Sequence, residues 1–214
     1  MSHRICENIK QIEQEVGNVH LVVVSKFRSL PELEEVYACG HRNFGENRVQ
    51  ETLDKYEKLP KDINWHIIGH LQTNKVKYIA PFVHLIHSVD SLKLLQTIDK
   101  EAQKNNRIIP FLFQLHIAQE ETKFGLSADE LDQILLSEDF RSLNNVKSKG
   151  LMGMASLTQS EIQVKQEFHF LQTLYLKYKE YQNWDTLSMG MSGDYKLAVE
   201  CGSTLIRVGS KIFK

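Results

Sequence analysis

The stretch DTLSMGMSGDYKLAVECGSTLIRVGS, residues 185–210, contains a complete strand–helix–strand unit. Its apolar ends, DTLSMGM and STLIRVG, predict two strands. A short helix from Tyr195 to Glu200 is expected between them, ending at Gly202. Two strands joined through a helix run parallel in the same sheet, because the helix returns the chain to the edge where the first strand began. This stretch therefore predicts an α/β protein.

The same alternation extends upstream through the rest of the chain. Two helix starts carry a capping box, Ser29 with Glu32 and Ser127 with Glu130. Eight strands alternating with helices favour a closed (β/α)8 TIM barrel over a doubly wound open sheet. The other six strands are predicted at HLVVVSK (20–26), NFGEN (43–47), WHIIG (65–69), VHLIHSV (83–89), PFLFQLH (110–116) and SKGLMGM (148–154).

One more helix is expected before the first strand. Ile5, Ile9, Ile12 and Val16 follow one another at helical spacing, and Gly17 comes directly after them as a C-cap. The chain has only 4 prolines and no Gly/Ser-rich or charge-rich linker that would mark a domain boundary. We therefore expect a single domain over residues 1–214, a TIM barrel with an extra N-terminal helix.

Composition limits the partners and the compartment. The chain has 26 basic and 27 acidic residues, so its formal charge is −1, which argues against a nucleic-acid partner. Its apolar runs are shorter than the roughly 18 residues that span a membrane. Its N-terminus lacks the pattern of a signal peptide, so a cytoplasmic protein is expected. Cys6, Cys39 and Cys201 are scattered, which predicts reduced thiols rather than a disulfide or a zinc site.

The carboxyl ends of barrel strands carry the functional residues in this fold, so the residues that follow each strand are the first candidates. Lys26 ends the first predicted strand, where a desolvated amine acts as a Schiff-base nucleophile; a lysine extending over the barrel rim is the alternative. Ser192 with Gly193, and Gly209 with Ser210, follow the last two strands and offer hydroxyl and N–H donors for a phosphate. The alternative is that each of these two pairs forms an ordinary turn.

Arg207 lies inside the apolar strand LIRVG, and its guanidinium needs hydrogen-bond acceptors there. Two interpretations stay open: an ion pair with Glu46 or Asp194, or contact with a ligand atom that accepts a hydrogen bond. The histidine spacings His66-x3-His70 and His84-x2-His87 do not predict a metal site, because a strand places alternate residues on opposite faces.

Eight motifs, taken together and in this order, resemble the pyridoxal phosphate homeostasis protein family. Most of them lie at or just after predicted strands, and they extend from the first strand almost to the C-terminus. The motifs are VVSK at Lys26, FGENRVQE (44–51), WHIIGHLQTNK (65–75), HSVD (87–90), KFG (123–125), GLMGM (150–154), LSMGMSGD (187–194) and IRVGSKIF (206–213).

This resemblance implies a barrel similar to the N-terminal domain of alanine racemase, with pyridoxal 5′-phosphate (PLP) bound at the carboxyl ends of the strands. Lys26 matches the family's Schiff-base lysine, and Arg207 matches the arginine that contacts the pyridine nitrogen. The implied neighbour of the ring is Asn47. The implied phosphate ligands are Ser192, Gly209 and Ser210.

The resemblance also implies PLP binding without established turnover. A guanidinium only donates hydrogen bonds, so a ring nitrogen facing Arg207 stays unprotonated and is a poor sink for carbanion charge. The expected function is buffering or delivery of PLP by a monomer that transiently contacts PLP-requiring apo-enzymes, and no residues are expected to remain for a second, catalytic domain. A weak amino-acid racemase and an aldolase-like enzyme using Lys26 are the alternatives.

Overall fold

Eight parallel strands close into a barrel in the computed structural model, which describes residues 2–119 and 124–214. Each strand pairs with the next along the chain, and β8 returns to pair with β1, with Val22 opposite Arg207. The predicted (β/α)8 barrel is confirmed. The strands are β1 His20–Val24, β2 Asn43–Glu46, β3 Asn64–Ile67, β4 Leu85–Val89, β5 Ile109–Leu115, β6 Val146–Gly153, β7 Thr186–Ser188 and β8 Leu205–Val208.

Helices surround the barrel, and most of them lie between consecutive strands. Between β3 and β4 the chain forms a 3₁₀ turn at Thr73–Lys75 followed by α4, and the sequence did not predict α7. The helices are α1 Ser2–Val16, α2 Leu30–Ala38, α3 Val49–Lys58, α4 Val76–Ile79, α5 Leu92–Lys104, α6 Ala128–Leu136, α7 Glu138–Arg141, α8 Glu161–Gln182 and α9 Tyr195–Glu200.

The extra N-terminal helix, α1, packs its apolar stripe against the barrel wall. All four of the residues predicted to form that stripe are buried, in one cluster with Leu33 and Val36 of α2. The helix ends at Gly17, whose φ of +62° is the left-handed conformation that glycine adopts at little cost. Both predicted capping boxes, at Ser29 and Ser127, are present.

The expectation of three reduced cysteines is wrong for Cys6 and Cys39. Packing of α1 against α2 brings their Cα atoms to 5.4 Å, and the two residues form a disulfide. They are 33 residues apart, with Cys6 in α1 and Cys39 directly after α2, so their spacing in the sequence gave no sign of the contact. Cys201 is a free, buried thiol. No helix within the described residues is long and apolar enough to span a membrane.

The inside of the barrel carries polar side chains, whereas its outer face is apolar. Along β4, Ile86 packs outward into the main hydrophobic core, and the next residue, His87, faces the barrel axis. Near the amino ends of the strands the interior is a small apolar layer that includes Val22, Leu112 and Met152. The polar side chains buried in the interior are His66, His87, Gln114, Ser188 and Arg207.

Candidate functional site

A cavity of about 500 Å³ opens at the carboxyl ends of the strands. This volume lies within the range of small-molecule sites. Apolar side chains, among them Val24, Ile68, Met154 and Met191, form part of its wall. The structure places all six sequence-predicted site residues on the same wall: Lys26, Asn47, Ser192, Arg207, Gly209 and Ser210.

Lys26 reaches this cavity from a turn that directly follows β1. The N–H of Arg28 donates to the carbonyl oxygen of Ser25 at 3.0 Å, so residues 25–28 close a β-turn with Lys26 and Phe27 at its centre. Inward and outward side chains alternate here as in the strand: Val24 and Lys26 line the cavity, and Ser25 is bonded to Glu46 outside the barrel. Lys26 is half-buried.

The loops after β7 and β8 are joined at one side of the cavity. The backbone N–H of Gly209 donates to Ser192 Oγ at 3.2 Å. That hydroxyl accepts from the protein and can still donate its own proton toward the cavity. Asp194 fixes the first loop by accepting from the N–H of Met191 at 2.6 Å. Ser210, next to Gly209 in the chain, also lines the cavity.

Asn47, directly after β2, lies very close to Gly69, which follows β3. A Cβ atom on Gly69 would lie 2.6 Å from the carbonyl oxygen of Asn47, so only glycine fits at this position. Both residues line the cavity. Beside them, the ring of His70 stacks on Phe124 with centroids 4.3 Å apart. Phe124 belongs to the KFG motif, whose Lys123 lies outside the described residues.

Arg207 forms the floor of the cavity and is almost completely buried. Its Nη1 donates to Ser188 Oγ at 2.5 Å and its Nη2 to the carbonyl oxygen of Gly153 at 3.1 Å. Glu46, one of its two predicted ion-pair partners, instead binds Lys55. Burial lowers the pKa of Arg207 to about 10 and the charge of Asp194 raises it, so the guanidinium remains charged at neutral pH.

A chain of hydrogen bonds continues from Arg207 along the barrel interior. Ser188 Oγ lies 3.1 Å from His87 Nδ1, and His87 Nε2 lies 2.9 Å from His66 Nδ1. His66 Nε2 in turn lies 3.4 Å from Asn43 Oδ1. Arg207 can only donate, so the hydroxyl proton of Ser188 finds its acceptor at His87. That order assigns the proton of both imidazoles to Nε2.

Both imidazoles in this series of hydrogen bonds, His66 and His87, are held neutral. Burial lowers the pKa of His66 to about 3, with smaller contributions from the neighbouring His84 and His41. Burial also holds the pKa of His87 well below its ordinary value, and the nearby charge of Arg207 acts in the same direction. Among the groups linked by these hydrogen bonds, the Arg207 guanidinium is therefore the one that is positively charged at neutral pH.

A second buried polar network lies just outside the barrel, beneath the turn that carries Lys26. Lys55 Nζ lies 2.7 Å from Glu46 Oε1 and 2.7 Å from Glu51 Oε1. Burial raises the pKa of Glu46, while hydrogen bonds from Lys55 and Ser25 lower it and offset part of that effect. This network was not predicted from the sequence. Its signal was the i,i+4 pair Glu51 and Lys55 on α3.

Comparison with known proteins connects this cavity to a family. The family model for the alanine racemase N-terminal domain matches residues 2–214. The pyridoxal phosphate homeostasis protein of Aquifex aeolicus is 38% identical over 217 residues, covering 98% of this chain and 94% of its own. The chain belongs to the pyridoxal phosphate homeostasis protein family. The family member from Schizosaccharomyces pombe is 35% identical and covers 95% of this chain and 87% of its own.

Solved structures agree with membership of the pyridoxal phosphate homeostasis protein family. PipY of Synechococcus elongatus, solved with PLP bound, is 33% identical, with a TM-score of 0.89, and covers 98% of this chain and 100% of its own. Alanine racemase of Bartonella henselae is 16% identical, with a TM-score of 0.73, which shows a shared fold. This chain covers 58% of that racemase.

Proposed function

We propose that this protein binds PLP covalently through Lys26 and serves PLP homeostasis, by buffering or delivering the cofactor. One observation carries the proposal: a lysine amine, a buried guanidinium and two serine hydroxyls line a single cavity of about 500 Å³. The PLP-bound structure of PipY, 33% identical, supports the choice of cofactor.

The donor set of the cavity fits the chemistry of PLP. A phosphate dianion needs donors, and the hydroxyls of Ser192 and Ser210 supply them at one side. An unprotonated ring nitrogen needs one donor, and Arg207 supplies it from the floor. Val24 and Ile68 offer apolar surface for the ring. PLP brings an aldehyde, which condenses with an amine and loses one water.

Each predicted residue then has its own task. Lys26 provides the amine, and its position on the turn after β1 keeps the side chain directed into the cavity. Asn47 provides a polar contact at the edge of the ring. Gly209 joins the two phosphate-side loops through its hydrogen bond to Ser192.

Binding without turnover is the second part of the proposal. Arg207 donates to the ring nitrogen and does not protonate it, which limits the stabilisation of carbanion charge. We place no acid–base partner opposite Lys26, and residues 1–214 act as one barrel domain and as a monomer. An open cavity of this kind suits transient contact with PLP-requiring apo-enzymes in the cytoplasm.

Titration of the purified protein with PLP tests the proposal. The wild type should develop an absorbance band of bound cofactor, and Lys26→Ala should not. Lys93→Ala is the matched control, because Lys93 is exposed on α5; its titration should follow the wild type. A wild type that takes up no PLP contradicts the binding proposal. Sustained, Lys26-dependent conversion of an amino acid contradicts the non-catalytic part.

A further inference from the structure

The Cα atom of Lys26 lies between two peptide groups that are both held by the same ion pair. The carbonyl oxygen of Ser25, on the amino side, accepts from Lys55 Nζ at 2.7 Å. The N–H of Phe27, on the carboxyl side, donates to Glu51 Oε1 at 2.6 Å. Lys55 Nζ and Glu51 Oε1 are themselves 2.7 Å apart. One ion pair on α3 therefore fixes both peptide planes that bond to the Lys26 Cα.

Burial makes this ion pair a well-defined anchor. The Lys55 side chain is only 7% exposed, and its second carboxylate partner, Glu46, is fully buried. Glu46 Oε1 also accepts from Ser25 Oγ at 2.5 Å. The Lys55 ammonium is withdrawn from water and hydrogen-bonded to Ser25, Glu46 and Glu51, so leaving this geometry would cost it buried partners.

The backbone beside Lys26 is strained in a way that needs such an anchor. Phe27 has a φ of +62°, in the left-handed region that disfavours residues with a Cβ atom. Core packing does not hold Phe27 there, because its side chain is 73% exposed. The ring has a cation–π contact from Arg48, itself an exposed residue. The hydrogen bond from the Phe27 N–H to Glu51 is the strong contact that opposes relaxation of the turn.

We propose that Glu51 and Lys55 are positioning residues for Lys26. By fixing the peptide planes on both sides of its Cα, they set the direction of the Cα–Cβ bond and hold the amine in the cavity before any ligand arrives. This inference rests on the proposed function, in which Lys26 bonds to PLP. A purely structural ion pair would stabilise α3 against the barrel without affecting the reactivity of Lys26.

Two variants of Glu51 separate these roles. Glu51→Ala removes the acceptor of the Phe27 N–H, whereas Glu51→Gln retains an oxygen at the same position. We expect Glu51→Ala to weaken PLP binding, measured by absorbance titration, about tenfold, the size of one charge-assisted hydrogen bond. Glu51→Gln should stay within about threefold of the wild type. Glu57→Ala, exposed on the same helix, is the matched control and should bind like the wild type.

Hydrogen exchange gives a readout that needs no cofactor. In the PLP-free protein, the amide of Phe27 should exchange at least tenfold faster in Glu51→Ala than in the wild type or in Glu51→Gln. Amides in β5 report whether the barrel as a whole has stayed folded, and their exchange should be unchanged. Phe27→Gly removes the strain, so adding it to Glu51→Ala should restore part of the lost affinity.

The inference is overturned if Glu51→Ala binds PLP as the wild type does and exchanges the Phe27 amide at the same rate. It is also overturned if all three Glu51 and Glu57 variants lose affinity equally. Failure of the proposed function looks different: the wild type itself then takes up no PLP. In that case, an unchanged exchange rate of the Phe27 amide in Glu51→Ala would still show that the ion pair does not hold the turn.

Discussion

Arg207 and Ser188 are hydrogen-bonded inside the barrel, with Nη1 of the arginine 2.5 Å from Oγ of the serine. This contact fixes the guanidinium at the floor of the cavity and starts the ordered chain through His87 and His66. The position of this donor in the cavity is therefore set by groups deeper in the barrel. A substitution several side chains away from the cavity should therefore alter the position of the guanidinium.

Ser188→Ala should destabilise the protein and disturb the cavity together. It leaves Arg207 without one acceptor in a buried place, and His87 without its donor, which costs about 2–3 kcal/mol. Urea unfolding measures the loss, and Ser142→Ala, exposed at the end of α7, is the control and should stay within about 0.5 kcal/mol. Equal stability of the two variants would contradict the role of Ser188.

Substitution of Arg207 should change the spectrum of bound PLP. Arg207→Glu replaces a donor by a carboxylate, which stabilises a protonated ring nitrogen and should shift the absorbance of the bound cofactor. Arg207→Gln separates the loss of the guanidinium from the gain of the carboxylate, and should bind more weakly without the same shift. Identical spectra for Arg207→Glu and the wild type would place the ring nitrogen away from Arg207.

The double variant Ser192→Ala and Ser210→Ala should release PLP more readily while keeping its fold. Each substitution removes about 1.5–3 kcal/mol of charge-assisted hydrogen bonding to a phosphate. Retention after gel filtration, followed by absorbance, measures the effect, and pyridoxal without phosphate is the control ligand. We expect the difference in affinity between PLP and pyridoxal to shrink. An unchanged difference would mean that the phosphate lies elsewhere.

Stability should fall as the pH is lowered from 7 to 5.5. The pKa of His66 is about 3 in the folded protein, below its ordinary value of 6.5, and that of His87 is also lowered. The unfolded chain therefore binds protons in this window that the folded protein does not, so acid favours unfolding. Each histidine adds a slope of up to about 1.4 kcal/mol per pH unit.

Urea unfolding at pH 7 and pH 5.5 measures this slope. Burial also lowers the pKa of His41 and of His84, so both act in the same direction. Glu46 acts in the opposite direction, because its pKa is raised. His66→Asn keeps an acceptor for His87 and removes one titrating group, so its stability should fall less steeply. A slope equal to that of the wild type would contradict the assignment.

The fold was predictable because its signals are local. Each βα unit is marked in the sequence by an apolar run and a helix start, as at Ser127 with Glu130. Eight such units are enough to form a barrel. That the six predicted residues line one cavity was predictable for a related reason: strand ends converge at one face of a barrel, so residues at several strand ends must lie together.

The partners of those residues were not predictable, because they come from distant strands. Nothing in the sequence shows that Arg207 pairs with Ser188 and Gly153 rather than with Glu46 or Asp194. His87 and Ser188 are 101 residues apart and meet only once the barrel closes. The left-handed turn at Phe27 was also hidden, because an aromatic residue gives no sign of positive φ.

Mass spectrometry after borohydride reduction of the PLP-treated protein tests the central claim most directly. Reduction makes the bond between amine and cofactor permanent, so the modified lysine can be read from its peptide. The account predicts one phosphopyridoxyl group, on Lys26, and its loss in Lys26→Ala. A modification confined to other lysines, with Lys26 untouched, would contradict it.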